Sequence, residues 1–244
     1  MSKKITLFSL LLALWGASSL VLAHTIITDQ ATEGTGLYTG FDITHGCGFE
    51  DKPSLPVIAQ SVAFPTGPNS AVTRMDTGEA ISLGDVLIGG MHASGLINPA
   101  IIQNRDVFNA TEELRDETGV VRGVHYTDGE LQVDLDGVLP FRVSGVTFVE
   151  ESCVTKVRAR VAIANWCHHR EGARRVDVWI ARLTPVFNDE RVVSIDFWPT
   201  LTINRDLTTN PLPENCGEGY EVAVEPSDED IDQYLPMPGF IPGI

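Results

Sequence analysis

Val154-Thr-Lys-Val-Arg-Ala-Arg-Val-Ala-Ile-Ala164 is the stretch that decides the fold class. Val157, Ala159, Val161 and Ile163 alternate with Lys156, Arg158 and Arg160. A period of two gathers the apolar side chains on one face of an extended chain, so this is a half-buried strand. It lies between Cys153 and Cys167. Fully extended, the chain joining them spans roughly 45 Å, whereas the Cα atoms of a disulfide lie about 4.4–6.8 Å apart. Those two cysteines are therefore not expected to pair with each other. Each is expected to pair with Cys47 or Cys216, in an order the sequence leaves open. No CxxC spacing points to a tetrathiolate zinc site instead.

Working outward from this strand, the same kind of run recurs between turns. The expected strands are Leu37–Thr44, Ile58–Phe64, Val86–Ile88, Gly123–Tyr126, Glu130–Leu135, Leu139–Glu150, Val154–Ala164, Val176–Pro185 and Val192–Ile203. Connectors such as Thr127-Asp-Gly129 and Phe187-Asn-Asp189 are rich in Gly, Pro, Asn and Asp. Many short strands at near-regular spacing predict an all-β protein, an antiparallel β-sandwich of the immunoglobulin or cupredoxin type. Helix signals are confined to short turns within Asn98–Glu117, where Asn98-Pro99 and Asn109-Ala-Thr-Glu resemble helix starts. Residues 66–120 read as a loop-rich insertion in a single domain of residues 24–244, and Glu225–Asp232 as an exposed acidic C-terminal segment.

Residues 1–23 have the layout of an export signal: Lys3 and Lys4, an apolar run from Ile5 to Trp15, and a Val21-Leu22-Ala23 cleavage site. Cleavage after Ala23 makes His24 the first residue of the mature chain. Its amine and imidazole then form one chelating unit, suited above all to Cu(II). An even number of cysteines in an exported chain agrees with two disulfides. No second apolar stretch is long enough to be a membrane anchor. The net charge of −16 disfavours nucleic acid and anionic membranes and favours cationic partners, metal ions included.

A second informative stretch is Phe41-Asp-Ile-Thr-His-Gly-Cys-Gly48, followed by the strand into Val62-Ala-Phe-Pro65-Thr66-Gly67. Here a strand runs into His45, and a glycine-flanked turn carries Cys47. Together with His24-Thr-Ile-Ile, these pieces resemble the YcnI-like family of exported copper-binding proteins. Phe197-Trp-Pro-Thr-Leu-Thr-Ile203 resembles a late strand of that fold. The resemblance implies a β-sandwich with a histidine brace on His24, acting in copper binding or delivery rather than catalysis. This chain departs from the family at Thr66, where a carboxylate ligand is common, and in having no C-terminal membrane anchor.

The second imidazole of such a site has several candidates. His45 and His92 lead, the latter beside Met91 in a glycine-rich loop. A thioether next to an imidazole suits copper in either oxidation state. His125 precedes a hairpin turn and reads as a cross-strand surface residue, while His168 and His169 lie beside Arg170, whose charge disfavours a cation. Neither a Gly-x-Ser-x-Gly elbow nor an HExxH nor a phosphate-binding glycine loop is present. The sequence therefore predicts a periplasmic or secreted copper chaperone or store, not an enzyme, with metal ligands His24, His45 and His92 and a periplasmic copper-handling protein as partner. The alternatives are a copper-dependent polysaccharide monooxygenase-like enzyme and a secreted structural or adhesion module without metal.

Overall fold

The chain passes from one sheet to another inside the stretch that anchors the sequence reading. In the computed structural model, which describes residues 24–49, 52–90, 98–167, 176–190 and 192–238, a strand over Val154–Arg160 stops before Val161, and a second begins at Ala162. The Val161 amide donates to the Pro199 carbonyl at 2.8 Å rather than to either ladder. The charged residues end at Arg160, and Ala162–Cys167 are buried throughout. The alternation therefore ends where the sheet changes.

The strands are β1 (Thr25–Ile26), β2 (Gln30–Thr32), β3 (Leu37–Ile43), β4 (Cys47–Phe49), β5 (Lys52–Leu55) and β6 (Val57–Ala63). There follow β7 (Ala71–Arg74), β8 (Ala100–Ile101), β9 (Phe108–Arg115), β10 (Val121–Gly129), β11 (Gly137–Val143) and β12 (Val154–Arg160). The last are β13 (Ala162–Cys167), β14 (Val176–Trp179), β15 (Val193–Ser194), β16 (Thr200–Asn204) and β17 (Tyr220–Glu225), before helix α1 (Asp228–Tyr234).

They form a six-stranded sheet β15-β14-β13-β6-β10-β9, a five-stranded sheet β2-β16-β12-β17-β7, a four-stranded sheet β1-β3-β11-β8 and the ribbon β4-β5. Most neighbours are antiparallel; β12–β17, β14–β15 and β2–β16 are parallel. The sandwich closes where Phe41 of β3 stacks on Phe141 of β11 at 4.4 Å, both meeting Phe64 at the end of β6 at 6.0 Å. Val157, Leu201, Val222 and Val224 of the five-stranded sheet join the same core. On its other face the six-stranded sheet buries Ala63, Ala164, Trp166 and Val178 with Ile231 and Leu235 from α1 and the residue after it.

Several expectations are corrected. Asn98–Glu117 holds no helix: β8 and β9 occupy it, and β9 forms a hairpin with β10. The turn explains why. Asp116 accepts from the amides of Thr118 and Val120, and Gly119 takes φ +83°, so the turn chemistry overrides the weak helix start at Asn109. The acidic segment 225–232 is not an exposed tail. Ser227 caps α1 by accepting from the Asp230 amide at 3.1 Å, and Ile231 docks on the sheet.

Residues 66–120 also supply β7, β8 and β9, one strand to each of three sheets. Glu130–Leu135 forms no strand, only a bridge from Leu131 to Val57, and Val86–Ile88 follows a 3-10 turn over Leu83–Asp85. The Val176 and Val192 runs are cut short as β14, β15 and β16.

The disulfides are Cys47–Cys167 and Cys153–Cys216, with Cα separations of 6.2 and 5.2 Å. Cys153 and Cys167 sit at the far ends of β12 and β13, as the length of the intervening chain requires. Among the described residues no helix is long and apolar enough to cross a membrane.

Candidate functional site

β1 is the edge strand of the four-stranded sheet, and its antiparallel register sets Thr25 opposite Ile43 and Ile26 opposite Asp42. His24 therefore comes opposite Thr44. The Thr44 amide and hydroxyl both donate to the His24 carbonyl, at 3.3 and 3.1 Å. The next residue anchors the strand in depth. Thr25 is fully buried, and its hydroxyl accepts from Asn165 Nδ2 at 3.0 Å and Gln60 Nε2 at 3.3 Å. Gln60 Nε2 also donates to Asn165 Oδ1 at 2.8 Å. Buried amides need partners to offset their desolvation, and here the partner is the residue that follows His24.

The His24 imidazole rests in an aromatic corner. Its centroid lies 4.8 Å from Trp179 and 5.3 Å from Phe197, the latter edge-on, and those two rings meet at 5.9 Å. His45 follows β3. Its Nδ1 lies 2.7 Å from the Gly46 carbonyl, and as a donor there it leaves the lone pair on Nε2. That nitrogen is buried and has no hydrogen-bond partner among the described residues. An imidazole whose one nitrogen is held by a carbonyl while the other is bare has the form of a metal ligand.

The remaining sequence candidates fall elsewhere. His92, with Met91, lies outside the described residues, as do His168 and His169 and the signal segment 1–23. His125 is not a surface residue: it is buried under α1 with Nε2 3.1 Å from the Tyr234 carbonyl, and desolvation lowers its pKa. Thr66, in the position where the resemblance places a carboxylate, is committed to the fold, its hydroxyl donating to the Val121 carbonyl at 2.8 Å.

Sequence reasoning missed Asp177. It is buried on β14 opposite Asn165, and its Oδ2 has no hydrogen-bond partner among the described residues. Burial pushes its carboxyl up to about 7. The signal was present in Val176-Asp-Val-Trp179, where strand alternation puts the carboxylate and the indole on one face.

Among the described residues no three His, Cys, Asp or Glu side chains form a group that could hold a metal ion. A histidine made the first residue by cleavage would need no such group, because its amine and imidazole nitrogens would come from one residue. With such a cleavage the amine and imidazole would suit copper, and one further side chain would be needed to complete the set.

No protein-family model and no curated protein matches the chain. Among solved structures it is similar to an uncharacterized protein from Nocardia farcinica described as having an immunoglobulin-like fold. The identity is 10%, the match covers 75% of this chain and 98% of that one, and the TM-score is 0.36. A likeness this distant says nothing of chemistry.

Proposed function

We propose that this is an exported copper-binding protein, a chaperone or store in the periplasm or beyond, holding Cu(II) through the amine and imidazole of a mature N-terminal His24. The observation that carries this reading is the fixing of His24 itself. Chain termini ordinarily fray unless tied down. Here the residue after the expected cleavage site has its carbonyl held twice by Thr44 and its ring packed on Trp179 and Phe197. A chelate preorganised in this way loses little freedom on binding. Two disulfides suit an oxidising compartment, and the acidic surface favours a cation as cargo. The role is carriage, with delivery to a copper-handling protein of the same compartment.

The ligand nitrogens must lose their protons before metal binds. An α-amine titrates near pH 7.7–8.0 and an imidazole near 6.5. Between pH 7 and pH 5 the amine alone weakens binding about a hundredfold and the imidazole about tenfold more. Copper titration of the exported protein, its first residue fixed by intact mass, is therefore expected to give an affinity about a thousandfold lower at pH 5. An affinity unchanged over that range, or a mature chain that starts elsewhere, contradicts the reading.

A further inference from the structure

Thr25 brings a hydroxyl into the interior of the sandwich, against two side-chain amides. Thr25, Gln60 and Asn165 are each fully buried. The Thr25 oxygen lies 3.0 Å from Asn165 Nδ2 and 3.3 Å from Asn165 Oδ1, nearly equidistant from the two ends of one amide. With amide bond lengths of about 1.2 and 1.3 Å, it stands roughly 3–3.5 Å from the carbon between them, the separation of a nucleophile placed for attack. Gln60 Nε2 donates to Asn165 Oδ1 at 2.8 Å, where negative charge collects if that carbon is attacked. The same bond fixes which end of the Asn165 amide is oxygen.

The sheet register supplies a proton carrier. Asn165 stands directly opposite Asp177 on β14, and Gln60 opposite Tyr126 on β10. Cross-strand neighbours on one face have Cβ atoms about 4.5–5.5 Å apart, so the Asp177 carboxyl adjoins the Asn165 amide. Burial pushes that carboxyl up to about 7, and it keeps a proton near neutrality. Asp177 Oδ2, Gln60 Oε1 and the Tyr126 hydroxyl have no hydrogen-bond partner among the described residues, an unusual concentration of unmet polar atoms for a core. A hydroxyl, an amide and a carboxylic acid on one buried face are the parts of an acyl transfer.

We propose that Thr25 and Asn165 are a self-cross-linking pair, in which the Thr25 hydroxyl displaces ammonia from the Asn165 side chain and joins β1 to β13 through an ester. Thr25 Oγ1 attacks Asn165 Cγ and a C–O bond forms, with Gln60 Nε2 stabilising the oxygen anion of the tetrahedral intermediate. The C–N bond then breaks. Through one oxygen the Asp177 carboxyl gives its proton to the departing nitrogen, and through the other it takes the Thr25 proton. Asp177 ends protonated as it began, and one ammonia leaves. Burial keeps water from the ester, and the bond secures the strand that follows His24. The inference stands apart from the copper reading, since no step uses His24 or a metal.

The test is the intact mass of the wild-type protein after full reduction of its disulfides. The cross-linked chain is expected about 17 Da below the mass of its own sequence, the weight of one ammonia. Trypsin is expected to leave the peptides of Thr25 and Asn165 joined after reduction, and hydroxylamine, which cleaves esters, to separate them. Thr25→Val keeps the shape without the nucleophile, and Asp177→Asn keeps the shape without the acid. Each variant is expected at the full mass of its own sequence. Wild-type protein at its full sequence mass overturns the proposal, whether or not the variants fold. The same mass loss with the two peptides separate after reduction also overturns it, because the ammonia then came from elsewhere. An Asp177→Asn protein that still forms the joined peptides overturns the part assigned to Asp177.

Discussion

Replacing Asp230 with alanine is expected to destabilise the protein by about 3–5 kcal/mol, the cost of taking from a buried charge the closer and more buried of its two carboxylate partners. The charge is Arg122, whose side chain is 5% exposed. Its Nη2 donates to Asp230 Oδ1 at 2.5 Å, and its Nη1 reaches Asp116 at 3.3 Å. The Tyr234 ring covers it at 5.5 Å. Gly67 closes the site from the other side, and a Cβ there would stand 2.0 Å from Arg122 Nη2 and 2.1 Å from Asp230 Oδ2. The guanidinium is left with Asp116, farther off and more exposed, and α1 loses the contact that draws it onto β10. Urea unfolding measures the effect. The double variant Asp230→Ala with Arg122→Met is expected to lose less than Asp230→Ala alone, because the charge leaves with its partner. A single-variant loss under about 1 kcal/mol contradicts the description of this pair as buried and mutually dependent.

Removing the Cys47–Cys167 bridge with paired alanines is the second large effect. The bridge joins residues 120 positions apart, and closing a loop of that order restricts the unfolded chain by about 4–5 kcal/mol in the chain-entropy account. For a domain of this size that corresponds to a melting temperature lower by roughly 10–15 °C. The bridge also has a local consequence. It fastens the turn after His45 to the end of β13, two residues beyond Asn165, which holds Thr25. Copper affinity is therefore expected to fall even below the melting range, as the clamp on His24 loosens. The Cys153–Cys216 bridge, spanning 63 positions at the far end of β12, is expected to lower the melting temperature without touching copper affinity. Equal effects of the two bridges on copper contradict the placement of the site.

The strand content was legible because most of these strands bury one face, and a period of two survives in the sequence. What stayed hidden has identifiable causes. Val154–Ala164 read as one strand because Val161 keeps the alternation going across the corner between two sheets. β9 hid behind polar residues, since an edge strand exposed along Asn109–Glu112 carries no apolar period. The acidic segment concealed a helix in which Ile231 is the one fully buried apolar residue, with Leu235 just beyond its end. Buried on both sides, His125 lay under a helix that its own neighbourhood could not announce.

The candidate site divides in the same way. His24 and the turn from His45 to Cys47 are local features, and local reading found them. Asp177 is not local. The register of two neighbouring strands sets it beside Asn165, and the long-range contact in its strand is that of Trp179 with the His24 ring. Within its own strand it is a single charged residue in Val176–Trp179, which marks it as unusual without saying what it faces.

The central claim is that the mature amine of His24 binds copper, and an extra residue in front of it tests that most directly. Cu(II) titration would compare the processed protein with a form carrying one additional alanine before His24, both checked by intact mass. The extension removes the amine from the chelate while leaving every side chain in place. The account predicts tight one-to-one binding by the processed protein and a loss of about a hundredfold or more in the extended form. Binding indifferent to the extension contradicts it and leaves a disulfide-bonded β-sandwich in which His24 has no part in metal chemistry.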